Sequence, residues 1–256
     1  MKLISHYSLH HSFTSDQTEL PDLRTLIAPW VPQRIRRIDR YIELCVAGGL
    51  NCVAGRPLPE DTGVYLATRA GAVSSPAEVM EGIFARQDTP MPLHFVNTLG
   101  NTAGFYLTQL LKTRGNTLVV AQEQLSFEAA LMHAWLDLQQ GRIHTALVGG
   151  FDEAALPLAQ HARRLGIDAQ EEIAEGSHWL LLSNDKNAAA PVTLGNPIYF
   201  TDLTQTLAWL REQDVQHLRC AFTPSADEHS QLATVVGNIG VCNQTGISQG
   251  AFSGGS

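Results

Sequence analysis

The chain has 256 residues, a hydrophobic fraction of 44%, a charged fraction of 16% and a formal net charge of −8. That length and apolar content suffice for one large α/β core, and the low charged fraction leaves apolar surface for an oligomer to bury. The negative balance, with no Lys/Arg stripe to neutralise phosphates, excludes nucleic acid as a partner and gives no attraction to anionic membranes. No apolar run reaches the roughly 18 residues of a membrane span, and the N-terminus lacks a signal-peptide core. Cys45, Cys52, Cys220 and Cys242 show no paired spacing, so reduced thiols and a cytoplasmic setting are expected.

In chain order, His6, His10 and His11 fit a polar N-terminal strand and turn, because no carboxylate or Cys sits at metal-ligand spacing from them. The pattern then predicts a helix over 36–48, a strand over 64–68, helices over 76–86 and 101–112 and a strand over 117–121. A helix over 125–140, strands over 145–149 and 179–183, a helix over 204–213 and a strand over 218–223 follow. Alternating strands and helices imply βαβ units and a largely parallel or mixed sheet with helices on its faces. The helix over 125–140 carries Ala129, Ala130, Leu131, Ala134, Trp135 and Leu138. Apolar residues cover most of its circumference, so it is expected to be buried between layers, with Gly141 as its C-terminal cap. There is no internal repeat or linker, and 1–256 reads as a single domain.

The run Thr117-Leu118-Val119-Val120-Ala121-Gln122-Glu123-Gln124-Leu125-Ser126-Phe127-Glu128-Ala129-Ala130-Leu131 turns abruptly from strand to helix. It resembles the nucleophile segment of β-ketoacyl synthases, in which a reactive Cys opens a buried helix six residues before an Ala-Leu pair. Six residues before Ala130 stands Gln124. Other segments are similar to the same family. Phe95-Val96-Asn97-Thr98-Leu99-Gly100-Asn101-Thr102-Ala103-Gly104 fits the loop and helix before the nucleophile strand. Ala146-Leu147-Val148-Gly149-Gly150-Phe151-Asp152-Glu153 and Glu175-Gly176-Ser177-His178-Trp179-Leu180-Leu181-Leu182 fit two later strands. Arg36 to Tyr41 and Gly63 to Gly71 resemble the family's first helix and its GTxxG strand loosely. The resemblance implies a thiolase-like layered α-β-α-β-α fold, with the N-terminal half essentially complete and the second half abbreviated.

A thiol at a helix N-terminus ionises readily and attacks thioesters; an amide nitrogen, its lone pair delocalised, does not. The Glu123-Gln124 pair resembles the chain-length factors, partner subunits of ketosynthases that carry Gln at this position. Catalytic members also have two His in their second half. The best counterpart of the first is Arg219, within Arg219-Cys220-Ala221-Phe222-Thr223-Pro224-Ser225-Ala226-Asp227. The second has no counterpart in Ser248 to Gly255. The chain is also much shorter than the catalytic members, and resembles the short chain-length-factor-like proteins of bacterial aryl polyene biosynthesis.

Rival motifs carry less. Gly246-Ile247-Ser248-Gln249-Gly250 fits a hydrolase nucleophile elbow, but only eight residues follow Ser248 and no Asp and His come after it. Val148 to Glu153 lacks a dinucleotide fingerprint. Asp152 and Glu153 point in different directions along a strand and are expected to satisfy loop N–H groups rather than act as an acid/base pair. His133 and His178 are expected to be satisfied core residues.

The resemblance implies a non-catalytic subunit that forms a heterodimer with a Cys-bearing β-ketoacyl synthase and shapes the acyl tunnel in polyketide, polyene or fatty-acid-type elongation. Phe105, Tyr106, Leu107, Leu110 and Leu111 are the gate candidates, Phe105, Tyr106 and Leu110 foremost, with plain core packing as the alternative. No cofactor or metal is expected, and substrate would arrive on a phosphopantetheinyl acyl carrier protein. Two other readings are a malonyl-carrier-protein decarboxylase that supplies primers and a scaffolding pseudoenzyme that recruits the carrier protein.

Overall fold

The computed structural model describes residues 1–33, 35–166, 172–190, 192–220 and 224–241. They gather into two compact units, Met1–Pro197 and Ile198–Ser256. The first unit has strands β1 (Lys2–Phe13), β2 (Gly63–Ala67), β3 (Thr117–Val120), β4 (Thr145–Asp152), β5 (Ile173–Ser183) and β6 (Val192–Thr193). They form one six-stranded sheet in the order β3-β2-β4-β5-β1-β6. β3, β2 and β4 run parallel, β5 is antiparallel to β4, and β1 is antiparallel to β5.

The helices of this unit are α1 (Arg24–Ile27), α2 (Arg40–Val53), α3 (Ser74–Glu81), α4 (Pro92–Asn97), α5 (Asn101–Leu111), α6 (Ser126–Gln139) and α7 (Leu158–Leu165), with a π turn at Gly82–Arg86. Alternation along the strands divides the core. Val64, Leu66, Leu147, Phe151, Trp179 and Leu181 meet α2 and the inner side of α5. Their sequence neighbours Tyr65, Ala146, Val148 and Leu182 meet Ala130, Ala134 and Leu138 of α6. Central strands buried on both faces are near-continuous apolar runs, which is why 64–67 and 145–149 were legible as strands.

Several boundaries depart from the sequence expectation for local reasons. The first long helix starts at Arg40, not at 36, because Arg37 takes a left-handed φ of 64° and the Asp39 side chain accepts from the Ile42 N–H at 3.0 Å as N-cap. It runs on to Val53 and closes on a left-handed Ala54. The predicted 76–86 helix is α3 followed by the π turn. The stretch before Asn101 contains α4, which Pro92 opens by supplying helical φ where no N–H is needed. Gly141, with φ 66°, follows the C-cap of α6 as expected. β5 is longer than predicted, and α7 was not predicted.

Two burial expectations are corrected. α6 buries one face only: Ser126, Ala130, Ala134, Asp137 and Leu138 are buried while Leu136 is exposed. Its i, i+4, i+8 stripe of small residues suits close approach to the sheet, Phe127 and Leu131 pack half-buried at its margins, and Leu136 faces outward. His133 is on that exposed side and is not a core residue.

The second unit contains α8 (Leu203–Gln213), β7 (His217–Cys220), α9 (Ala226–Ala233) and β8 (Asn238–Val241). β7 and β8 pair in parallel around α9, over a small core of Leu207, Leu210, Leu232 and Val236. Asp202 caps α8, and Ser225 with Glu228 forms a reciprocal capping box on α9. β8 and α9 were not predicted. Residues 221–223 of the expected 218–223 strand, and the 246–250 and 248–255 motifs, lie outside the described residues. No helix among the described residues is long and apolar enough to cross a membrane.

Candidate functional site: the turn between β3 and α6

β3 lies at the edge of the sheet and ends at Val120. The chain then reverses through Gln122 and Glu123, where Glu123 takes φ 50°, a left-handed conformation that costs a non-Gly residue free energy. A short 3₁₀ turn, Glu123–Leu125, leads into α6 at Ser126. Ser126 holds the corner. Its Oγ accepts from the Gln122 N–H at 2.8 Å and donates to the Glu123 carbonyl at 2.7 Å.

Gln124 sits at the apex of this turn, exposed, two residues before the helix begins. Its side chain has no hydrogen-bond partner among the described residues. The corner therefore presents an amide to the outside. The described thiols lie elsewhere: Cys45 and Cys52 are buried in α2, and burial pushes the Cys45 thiol well up and the Cys52 thiol to about 11. Both are held as inert thiols.

Behind the turn, side-chain-free positions let the layers close. A Cβ on Gly150 would stand 3.1 Å from the Phe127 ring of α6. A Cβ on Gly149 would stand 2.3 Å from the Trp179 ring on the opposite face. His178, next to Trp179 in β5, is half-buried and accepts or donates through Nδ1 to the Ser8 Oγ at 2.8 Å. Burial, and secondarily the nearby His10, lower its pKa to about 4.

The strand ends beside the turn are tied by carboxylates. Asp152 accepts from Thr68 Oγ1 at 2.6 Å and from the Arg69 and Ala70 N–H groups. Glu153 accepts from the Val73 and Ser74 N–H groups at 2.6 and 2.9 Å and from Ser74 Oγ at 2.8 Å. Burial raises both carboxyls above the usual range, opposed by these hydrogen bonds. This is the structural role expected from their adjacency.

The gate candidates divide. Phe105 is 59% exposed and lies edge-on to Tyr106, with ring centroids 5.7 Å apart. Tyr106, Leu110 and Leu111 are half-buried against the α2 core, and Leu107 is fully buried. Phe105 therefore presents its ring outward, while the others lean into the chain's own core. Sequence reasoning passed over a larger feature: Met80, Ile83, Phe84, Met91, Phe95, Val96 and Leu99 are all exposed large apolar side chains. Met80, Ile83 and Phe84, and Met91, Phe95 and Leu99, stand at helical spacing and so read in the sequence as a core-facing stripe; only their exposure in the fold marks them. An open cleft of about 580 Å³ lies at the opposite strand ends, among Glu60, Asp61, Arg114 and Arg142, away from this turn. The position expected to match the first second-half His, Arg219, is on β7 in the second unit.

No protein-family model matches the chain, and no curated protein matches it. Solved structures do. The ishigamide ketosynthase/chain length factor matches with a TM-score of 0.64 at 18% identity, covering 82% of this chain and 67% of that one. A type II polyketide synthase acyl-carrier protein in complex with its ketosynthase bound to the hexaketide matches with a TM-score of 0.66 at 12% identity, covering 94% and 84%. A β-ketoacyl synthase from Burkholderia phymatum STM815 matches with a TM-score of 0.62 at 13% identity, covering 84% and 66%. The chain spans about two thirds of the length of the first and the last of these. The fold is thus the thiolase-like α/β fold of these ketosynthase and chain-length-factor structures.

Proposed function

We propose that the chain is a non-catalytic, chain-length-factor-like subunit that pairs with a Cys-bearing β-ketoacyl synthase in the cytoplasm and helps bound the tunnel into which the acyl chain grows. The observation that carries this reading is Gln124 at the exposed corner between β3 and α6. The corner is shaped to present a side chain, and the side chain it presents has no nucleophilic lone pair.

Two features support a partner. β3 pairs only with β2 among the described strands, so its outer row of N–H and C=O groups is open to another strand. Exposed apolar side chains of α4, α5 and the π turn (Phe84, Phe95, Val96 and Phe105) add apolar area that a partner would bury. Condensation chemistry then belongs to the partner, and acyl groups reach it on a phosphopantetheinyl carrier protein. Phe105, with Tyr106 and Leu110 behind it, is the bulk that limits chain length from this side.

Co-expression with a Cys-bearing ketosynthase tests the pairing. A stable complex of one copy of each on gel filtration, with raised soluble yield, is expected. A well-behaved monomer with no affinity for any ketosynthase would end the reading.

A further inference from the structure

The segment from α3 through α4 is fastened to the first unit in an unusual way. Its apolar side chains, Met80, Phe84, Met91 and Phe95 among them, enter none of the core clusters. Among its described side chains the buried residues are Ser75, Gly82 and Asn97. Two of those three are polar, and each is tied to the entry of α2. Ser75 Oγ donates to Asp39 Oδ2, and Asn97 Nδ2 donates to the Arg37 carbonyl at 3.1 Å. Immediately before Ser75, Val73 and Ser74 together give Glu153 three hydrogen bonds.

This arm is thus held at its ends by directional hydrogen bonds, not along its length by apolar packing. The distinction has physical consequences. Apolar packing sums many weak contacts, whereas bonds to the Asp39 and Glu153 carboxylates are few and individually strong, so losing one removes a large share of what fastens the arm. The π turn in the middle of the arm is itself an irregularity of the kind that recurs at functional positions.

We infer that Glu153 and Asp39 are positioning residues that latch the arm 74–97 and so set where its exposed apolar side chains stand for the partner subunit. The latch is a property of this chain alone; only the identity of what the arm meets rests on the ketosynthase reading.

Amide exchange on the isolated protein, followed by mass spectrometry, tests it. In the wild-type protein the arm peptides exchange faster than those of β2 and β4. Glu153→Gln and, separately, the milder Ser75→Ala each speed the arm by about tenfold further and leave β4 and α6 unchanged. The same variants weaken the complex with the ketosynthase, while a control at Lys186, exposed and outside the arm, does not. An arm as protected as β4 in the wild type overturns the inference, as does a variant that speeds β4 and α6 along with the arm. If the wild-type protein binds no ketosynthase, the partner reading falls and the exchange data still decide the latch.

Discussion

His178 should make this protein acid-sensitive over a defined window. Its folded pKa is about 4 against an ordinary 6.5, mainly because burial disfavours the imidazolium. The unfolded chain takes up a proton below 6.5, and the folded chain does not until near 4. The stability held by the neutral imidazole is therefore fully present above 6.5 and is lost as the pH falls towards 4. At about 1.4 kcal/mol per pH unit, the whole window is worth at most about 3.5 kcal/mol, and the fall to pH 5 roughly 2 kcal/mol. Other groups titrate in the same range, so the comparison is with His178→Asn, whose amide can still bond Ser8 and carries no proton. Urea unfolding of both proteins at pH 7.5 and 5.0 should show the wild type losing about 2 kcal/mol more than the variant. Equal losses would mean that His178 is solvated, and that β1 and β5 do not enclose it.

Three further outcomes are expected. Gly149→Ala places a methyl 2.3 Å from the Trp179 ring, and the overpacking should lower urea stability by about 1–3 kcal/mol while Gly141→Ala, with open space around it, is costly only through its φ. Tyr65→Phe removes the donor that sits 2.5 Å from Asp137 Oδ2 and should cost about 1.5–3 kcal/mol in the same assay. Phe105→Ala, at a 59% exposed position, should leave the melting temperature of the isolated chain nearly unchanged and shift the products of the ketosynthase complex to longer chains; unchanged products from a stable complex would place the gate elsewhere.

The parts that were legible in the sequence are those where a residue's role is settled by its immediate neighbours. The doubly buried strands β2 and β4 show as continuous apolar runs, and α5 begins at Asn101 as its loop residues suggest. Gln124 was singled out because the run around it resembles the ketosynthase nucleophile segment, with Gln124 six residues before the Ala130-Leu131 pair. The rest depends on contacts distant in sequence. β1 mixes His and Ser with scattered apolar residues, and nothing local says that it pairs with β5, some 170 positions away. α7 has only eight residues, too few for a helical period to stand out. α6 read as buried all round because apolar residues surround it, whereas one face alone meets the sheet. The arm's exposed Met and Phe residues read as ordinary apolar positions; their meaning came from the absence of any core against them. The carboxylates were foreseen as loop anchors, but which loop they hold, and that it carries an apolar arm, follows from the fold.

The central claim is that this subunit carries no acyl group while it serves one that does. Intact-mass measurement of both chains of the co-expressed pair, after incubation with acyl-loaded carrier protein, addresses it most directly. An acyl adduct is expected on the ketosynthase alone, with this chain at its unmodified mass. A stable adduct on this chain, or a ketosynthase acylated and extended identically in its absence, would contradict it.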